Sequence, residues 1–147
     1  MEKKYEPLSL KNQLCFPIYL CSKEIVRRYV PRLEKLDLTY TQYVVMMYLW
    51  EKGESNVKDM GGALLLDSGT LTPLLKKLEA KEYVTRVRSK EDERVLNVAI
   101  TEKGMALRDE ALDVPCCMAQ CIGLTESEAE TLYKLLYKIL MNMERSE

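Results

Sequence analysis

Five cysteines, nine tyrosines and no histidine set the chemistry open to this chain of 147 residues. Without an imidazole there is no Ser-His or Cys-His nucleophile, and few zinc geometries remain. The cysteines stand at 15, 21, 116, 117 and 121, without the paired C-x-x-C spacing of a zinc ribbon. No basic n-region with an apolar stretch behind it opens the chain, so export is not indicated, and a disulfide framework is not expected. The five are either small core hydrophobes or redox-active thiols, which react as thiolates.

A second chemistry is electrostatic. Ser68 to Lys90 holds six basic residues (Lys76, Lys77, Lys81, Arg86, Arg88, Lys90) and two acidic ones (Glu79, Glu82), whereas Glu102 to Glu147 holds five basic and nine acidic. The whole chain carries −1, from 22 Lys+Arg against 23 Asp+Glu, which as an average argues against a nucleic-acid binder. The distribution argues the other way, since a basic patch on an otherwise acidic protein can face DNA.

The elements that must position these groups follow from periodicity. Asp67 and Ser68 are helix N-cap types, and Leu71, Leu74, Leu75 and Leu78 recur behind them at helical spacing. Past Lys81 the pattern alternates, over Val84–Arg88 and again over Val95–Ile100, with a charged tip between Ser89 and Arg94. Ahead of this, Asn56 can cap a helix over Val57–Leu64, and Thr39 with Gln42 forms a capping box for a helix ending at Gly53. Two short helices joined by a tight turn and followed by a hairpin are the parts of a winged helix-turn-helix, presenting Ser68, Thr70, Thr72, Lys76 and Lys77 to DNA.

The flanking segments predict long helices. Apolar spacing from Ser9 to about Val30 argues one, with Pro17 implying a kink or a late start near Cys15, and Pro31 can open a short second helix through Leu36. Thr101 caps a helix that could run past Leu112 and bend at Pro115, Gly123 stops it, and Thr125 with Glu128 opens the last one. The expected organisation is one mainly helical domain over 1–147. Residues 39–100 form the winged helix-turn-helix, and the apolar stripes of 1–36 and 102–147 pair with a second copy. At 47% apolar and 31% charged residues the chain reads as globular, and its longest apolar run, Tyr43 to Trp50, cannot span a bilayer. A cytoplasmic homodimer that calls for no cofactor or metal is expected.

The stretches LDSGTLTPLLKKLE and VTRVRSKEDERVLNVAITEKG resemble the MarR family of winged-helix regulators. NQLCFPIY at Asn12–Tyr19 and LTYTQYVVM at Leu38–Met46 resemble its OhrR branch, the repressors that sense organic hydroperoxides. The resemblance implies that Cys15 is the peroxide-sensing thiol. Tyr29 and Tyr40 of the partner subunit would be phenols that hydrogen-bond it, with Tyr19 one helical turn on. It implies Arg94 as a wing-tip arginine entering the minor groove, oriented by Asp92, and Lys76, Lys77, Arg86 and Arg88 as phosphate contacts. Cys21 reads as core filler. Cys116, Cys117 and Cys121 include a candidate resolving thiol, and the choice among them stays open because the Cα separation decides.

The expected function is a DNA-binding repressor of peroxide-resistance genes, released from a pseudo-palindromic operator when Cys15 is oxidised by an organic hydroperoxide. A regulator answering to a small aromatic ligand, or a general thiol-based one, is the alternative within the fold. A thiol peroxidase is the alternative outside it, against which stand the missing histidine and the missing reductase-docking motif.

Overall fold

In the computed structural model, which describes residues 3–144, the first long helix begins at the cysteine itself: α1 spans Cys15–Leu33. The N–H groups of a helix's first four residues have no intrahelical acceptor, so Pro17 as the third residue forfeits nothing. The segment ahead forms 3₁₀ turns over Lys3–Leu8 and Leu10–Asn12 in place of a helix from Ser9, and Met1 and Glu2 lie outside the described residues. Pro31 does not open a second helix; it lies inside the last turn of α1. The carbonyl it orphans is that of Arg27, an exposed residue, while buried Leu33 and Leu36 hold the turn and its 3₁₀ continuation Glu34–Leu36 in the core. Asp37 takes a φ of 51°, and the Leu38 N–H closes back on the Leu33 carbonyl at 2.9 Å.

Helix α2 (Tyr40–Lys52) carries the expected capping box: Thr39 Oγ1 accepts from the Gln42 N–H, and Gln42 Oε1 accepts from the Thr39 N–H at 3.0 Å. Gly53, at φ 76°, ends it. Val45, Met46 and Leu49 of α2 are fully buried, making this the central helix. Next comes a strand the residue pattern did not announce. β1 (Glu54–Asn56) is three polar residues long and exists because its backbone pairs antiparallel with β3 (Leu96–Ile100), Ser55 opposite Val98.

Helix α3 (Val57–Leu64) is capped by Asn56, whose Oδ1 accepts from the Asp59 N–H at 2.8 Å. The turn that follows needs Gly61, because a Cβ there would lie 2.7 Å from the Leu66 carbonyl oxygen. Asp67 then caps α4 (Ser68–Ala80), whose Leu71, Leu74, Leu75 and Leu78 are buried as the spacing predicts. β2 (Val84–Arg88) pairs antiparallel with β3, Val84 opposite Ile100 and Arg88 opposite Leu96, so the sheet order is β1-β3-β2. The wing is therefore a three-stranded sheet and not a two-stranded ribbon. Its root is tied by the Ile100 N–H to the Gly53 carbonyl at 2.9 Å and by Thr101 Oγ1 to the Glu82 carbonyl at 2.6 Å.

The helix expected from Thr101 to beyond Leu112 is two helices. α5 (Glu102–Glu110) ends five residues earlier than Pro115, and α6 (Asp113–Ile122) places Pro115 as its third residue, repeating the arrangement of Pro17 in α1. The chain divides here into two compact units, one ending at Val114 and one starting at Pro115. In the second unit Gly123, at φ 69°, stops α6, and Thr125 and Glu128 close the second capping box ahead of α7 (Glu126–Glu144). The Thr125 N–H and hydroxyl, both donating to Glu128 Oε2 at 2.9 Å, hold the Glu128 carboxyl below the ordinary glutamate range. Along α7, Leu132, Tyr133, Leu136, Tyr137, Leu140, Met141 and Met143 are all exposed.

Candidate DNA groove and thiol site

Ser68, Thr72 and Lys76 stand one helical turn apart on a single face of α4. That face and the wing enclose a groove of about 910 Å³, also lined by Arg86, Arg88, Asp92 and Arg94. Seven of the nine residues expected to meet DNA are thus brought to one concavity. Lys77, 100° further round the helix, lines a separate cleft with Asp37, Leu38 and Lys81. Thr70 is spent locally: its hydroxyl donates to Asp67 Oδ2 at 2.9 Å and its N–H to Asp67 Oδ1 at 2.8 Å. Those bonds stabilise the aspartate anion and hold its carboxyl below the ordinary range.

Within the groove the basic residues differ in what they already hold. Arg86 is largely buried, 17% exposed at its side chain, and donates from Nε and Nη2 to Glu79 Oε2 at 2.9 and 2.6 Å. Its charge is compensated inside the chain. Arg88 donates to the Glu93 carbonyl at 2.6 Å and so shapes the wing tip. Asp92 also acts on the backbone, accepting from the Arg94 N–H at 2.9 Å. This Asx turn, together with the N–H groups of Glu91 and Asp92 on Ser89 Oγ, presents an exposed Arg94 at the tip. Lys58, the second residue of α3, lines the same groove and was missed by sequence reasoning, which read α3 only for its cap.

The thiol site is assembled differently. Cys15, the first residue of α1, is exposed, as are Tyr19 one turn on and Cys21. Cys21 is therefore not core filler within this chain, because α1 buries only Leu33. Tyr29 lies fourteen residues further along the helix, a rise of about 21 Å. That exceeds the reach of any side chain, so no phenol at Tyr29 can meet the thiol of its own chain. The Tyr40 ring packs against Tyr29 at 4.8 Å between centroids, tilted by 56°, and belongs to the same distant end.

The stack continues beyond the two expected phenols. Tyr43 lies 5.9 Å from Tyr29, and Trp50 lies 6.0 Å from Tyr43, edge to face. Tyr40, Tyr43 and Trp50 share one face of α2, a pattern legible as i, i+3, i+10 but readable beforehand only as core. Burial first, then neighbouring phenols, push the Tyr29 and Tyr43 hydroxyls above the ordinary tyrosine range. Folding thus favours their neutral forms, which are hydrogen-bond donors. This contribution is complete below the ordinary phenol pKa of about 10 and is lost as pH rises through the raised values. Alkaline absorbance titration of the native protein should show a late-ionising fraction that shrinks in Tyr29→Phe and Tyr43→Phe; full ionisation at the midpoint of the unfolded chain would contradict the cluster.

In the second unit Cys116 and Cys121 are exposed and Cys117 is half-buried. Among the described residues no group of three or more Cys, Asp or Glu side chains is arranged to hold a metal ion, and no helix is long and apolar enough to cross a membrane.

A two-helix reading unit with a three-stranded wing, its groove lined by basic residues, defines a winged-helix transcriptional regulator. Residues 27–111 match the family model of the transcriptional regulator SarA/Rot. The chain is 44% identical over 143 residues to the organic hydroperoxide resistance transcriptional regulator of Bacillus subtilis (strain 168), covering 95% of each. It is 43% identical over 123 residues to the HTH-type transcriptional regulator SarZ of Staphylococcus aureus (strain USA300), covering 84% of this chain and 83% of the other. Among solved structures, AbfR of Staphylococcus epidermidis superimposes with a TM-score of 0.78 at 33% identity, covering 97% and 98% of the two chains. Reduced AbfR bound to DNA gives 0.79 at 32% identity over 95% and 98%, whereas disulfide-formed AbfR gives 0.67 at 32% over 93% and 96%. The chain belongs to this family of MarR-type winged-helix transcriptional regulators, in the branch of the organic hydroperoxide resistance regulators.

Proposed function

We propose that this chain is a homodimeric, cytoplasmic repressor that holds a pseudo-palindromic operator while Cys15 is reduced and releases it once an organic hydroperoxide oxidises that thiol. The observation that carries the reading is the separation of an exposed Cys15 from Tyr29 along α1, with Tyr40 of α2 packed beside Tyr29 at the far end. The thiol and its phenols come together only between two copies, so the sensor exists only in the dimer and is bound to the dimer's geometry. Exposed apolar side chains on α1 (Ile18, Leu20, Val30) and, in the second unit, along α7 are each surfaces that such a dimer would cover. Twofold symmetry then presents two grooves to two half-sites about one helical turn apart.

The chemistry is one turnover. The Cys15 thiolate attacks the distal peroxide oxygen, the O–O bond breaks, and the alkoxide leaves to be protonated by water as the alcohol. Sulfur is oxidised by two electrons to the sulfenic acid and the peroxide is reduced. Neutral phenols from the second copy donate to the thiolate before the reaction and meet a different group after it. A second thiol, among Cys116, Cys117 and Cys121 or from a small molecule, can then displace hydroxide from the sulfenic acid to form a disulfide and water. Because the signal needs only one equivalent of peroxide, the protein works as a switch and not as a peroxidase.

Operator binding by the reduced protein, then after one equivalent of a lipid hydroperoxide, and then with Cys15→Ser tests this. Wild type should be released and Cys15→Ser should stay bound. Equal release of both removes Cys15 as the sensor, and consumption of many equivalents of peroxide favours an enzyme.

A further inference from the structure

A side-chain hydrogen bond joins the ring cluster that holds the sensing phenols to the helix that follows the wing. The Trp50 indole N–H donates to the Gly104 carbonyl at 2.8 Å, joining α2 to the first turn of α5 across 54 positions of sequence. On one side, Trp50 is in ring contact with Tyr43, and Tyr43 with Tyr29, whose ring packs at a tilt against Tyr40. On the other, Gly104 has no slack: a Cβ there would fall 2.1 Å from the Tyr83 carbonyl oxygen and 3.0 Å from Ile100 Cγ1. A displacement of Gly104 towards the wing root therefore presses on Tyr83 and Ile100, and one away from it opens the contact with both. Ile100 forms the last rung of the wing with Val84, and the Tyr83 N–H bonds the Leu78 carbonyl in the final turn of α4 at 3.0 Å. The root of the wing and the end of the reading helix meet at the point that Trp50 holds.

We infer that Trp50 is the positioning residue that transmits the state of the Tyr29–Tyr40 pair to the wing root, through its hydrogen bond to the Gly104 carbonyl. The inference rests on the sensing function proposed above. Close-packed rings move only together, since a shift of a fraction of an ångström at one face forces the next ring to follow. A change in what the phenols bond therefore reaches Trp50 as a displacement. The indole N–H converts that displacement into a pull on backbone, which a purely apolar contact would not do. Phenylalanine at this position would keep the stack and drop the pull.

Trp50 is the one tryptophan of the chain, which makes the test clean. Incorporating the isosteric analogue benzothienylalanine in place of tryptophan removes this N–H and no other. Operator affinity is then measured for wild type, the analogue protein and Trp50→Phe, each fully reduced and each with Cys15 oxidation verified by intact mass. The expected result is reduced-state affinity within about threefold of wild type and a loss of affinity on oxidation at least tenfold smaller than in wild type. Trp50 emission from the unsubstituted protein should also shift on stoichiometric oxidation, and should not shift in Cys15→Ser. An unchanged oxidation response in the analogue protein, or an emission spectrum indifferent to Cys15 oxidation, overturns the inference. If wild type itself keeps its operator after oxidation, the sensing function fails instead.

Discussion

Gly104→Ala should lower the stability of the fold by about 1–3 kcal/mol or more, the range for forcing an extra methyl into filled space. The position is unusually unforgiving. The added Cβ would meet a backbone carbonyl at 2.1 Å, and a carbonyl already fixed by the Thr101 N–H at 3.1 Å cannot turn aside as a side chain would. Relief requires α5 to move away from Tyr83, which stretches the Trp50–Gly104 bond and loosens the first turn that Thr101 caps. Urea unfolding followed by far-UV dichroism measures the cost as a lower midpoint at unchanged slope. Reduced-state operator affinity should fall in the same variant, because the wing root is what has moved. A midpoint equal to wild type would show that this contact is not made in solution.

The second large effect is expected at the wing tip. Arg94→Ala should weaken operator binding about 10- to 100-fold, the range for losing one well-placed nucleic-acid contact, while the dimer measured by sedimentation stays intact. Arg94 is exposed, its backbone is set by Asp92, and narrow A·T-rich minor grooves attract an inserted arginine. Arg86→Ala is the internal comparison. With its guanidinium committed to Glu79, its loss should cost operator binding less than the loss of Arg94 and should act partly through stability. Titrations across salt concentration separate the two, since a lost phosphate contact flattens the slope by about one. If Arg86 proves the stronger DNA determinant, the Glu79 pair must break on binding.

Much of the fold was legible because its signals are local. Both capping boxes, the Asp67 cap, the leucine stripe of α4 and the alternation of β2 and β3 depend on residues within a few positions of one another. The departures share a cause as well. Pro17 and Pro115 each sit third in a helix, where their missing N–H is harmless, and Pro31 sits in a turn that buried leucines hold. Proline marks a boundary only when nothing tertiary outweighs it. β1 could not be read at all, because a three-residue polar strand is specified by its partner and not by its own composition.

The candidate site divides along the same line. Residue types alone excluded histidine-dependent catalysis and marked the basic segment from Ser68 to Lys90, and the motif around Cys15 named the thiol and its phenols. Only the tertiary structure decided which basic residues share the groove, since Lys77 faces another cleft, Arg86 is neutralised by Glu79, and Lys58 enters from α3. Spacing along α1 carried one three-dimensional fact by itself, because a straight helix of known rise keeps Cys15 about 21 Å from Tyr29. The link from Tyr43 through Trp50 to Gly104 needed the fold, because a hydrogen bond spanning 54 positions leaves no local trace. Sequence determines chemistry wherever the groups that matter are neighbours in the chain; contact order sets the point at which folding must decide the rest.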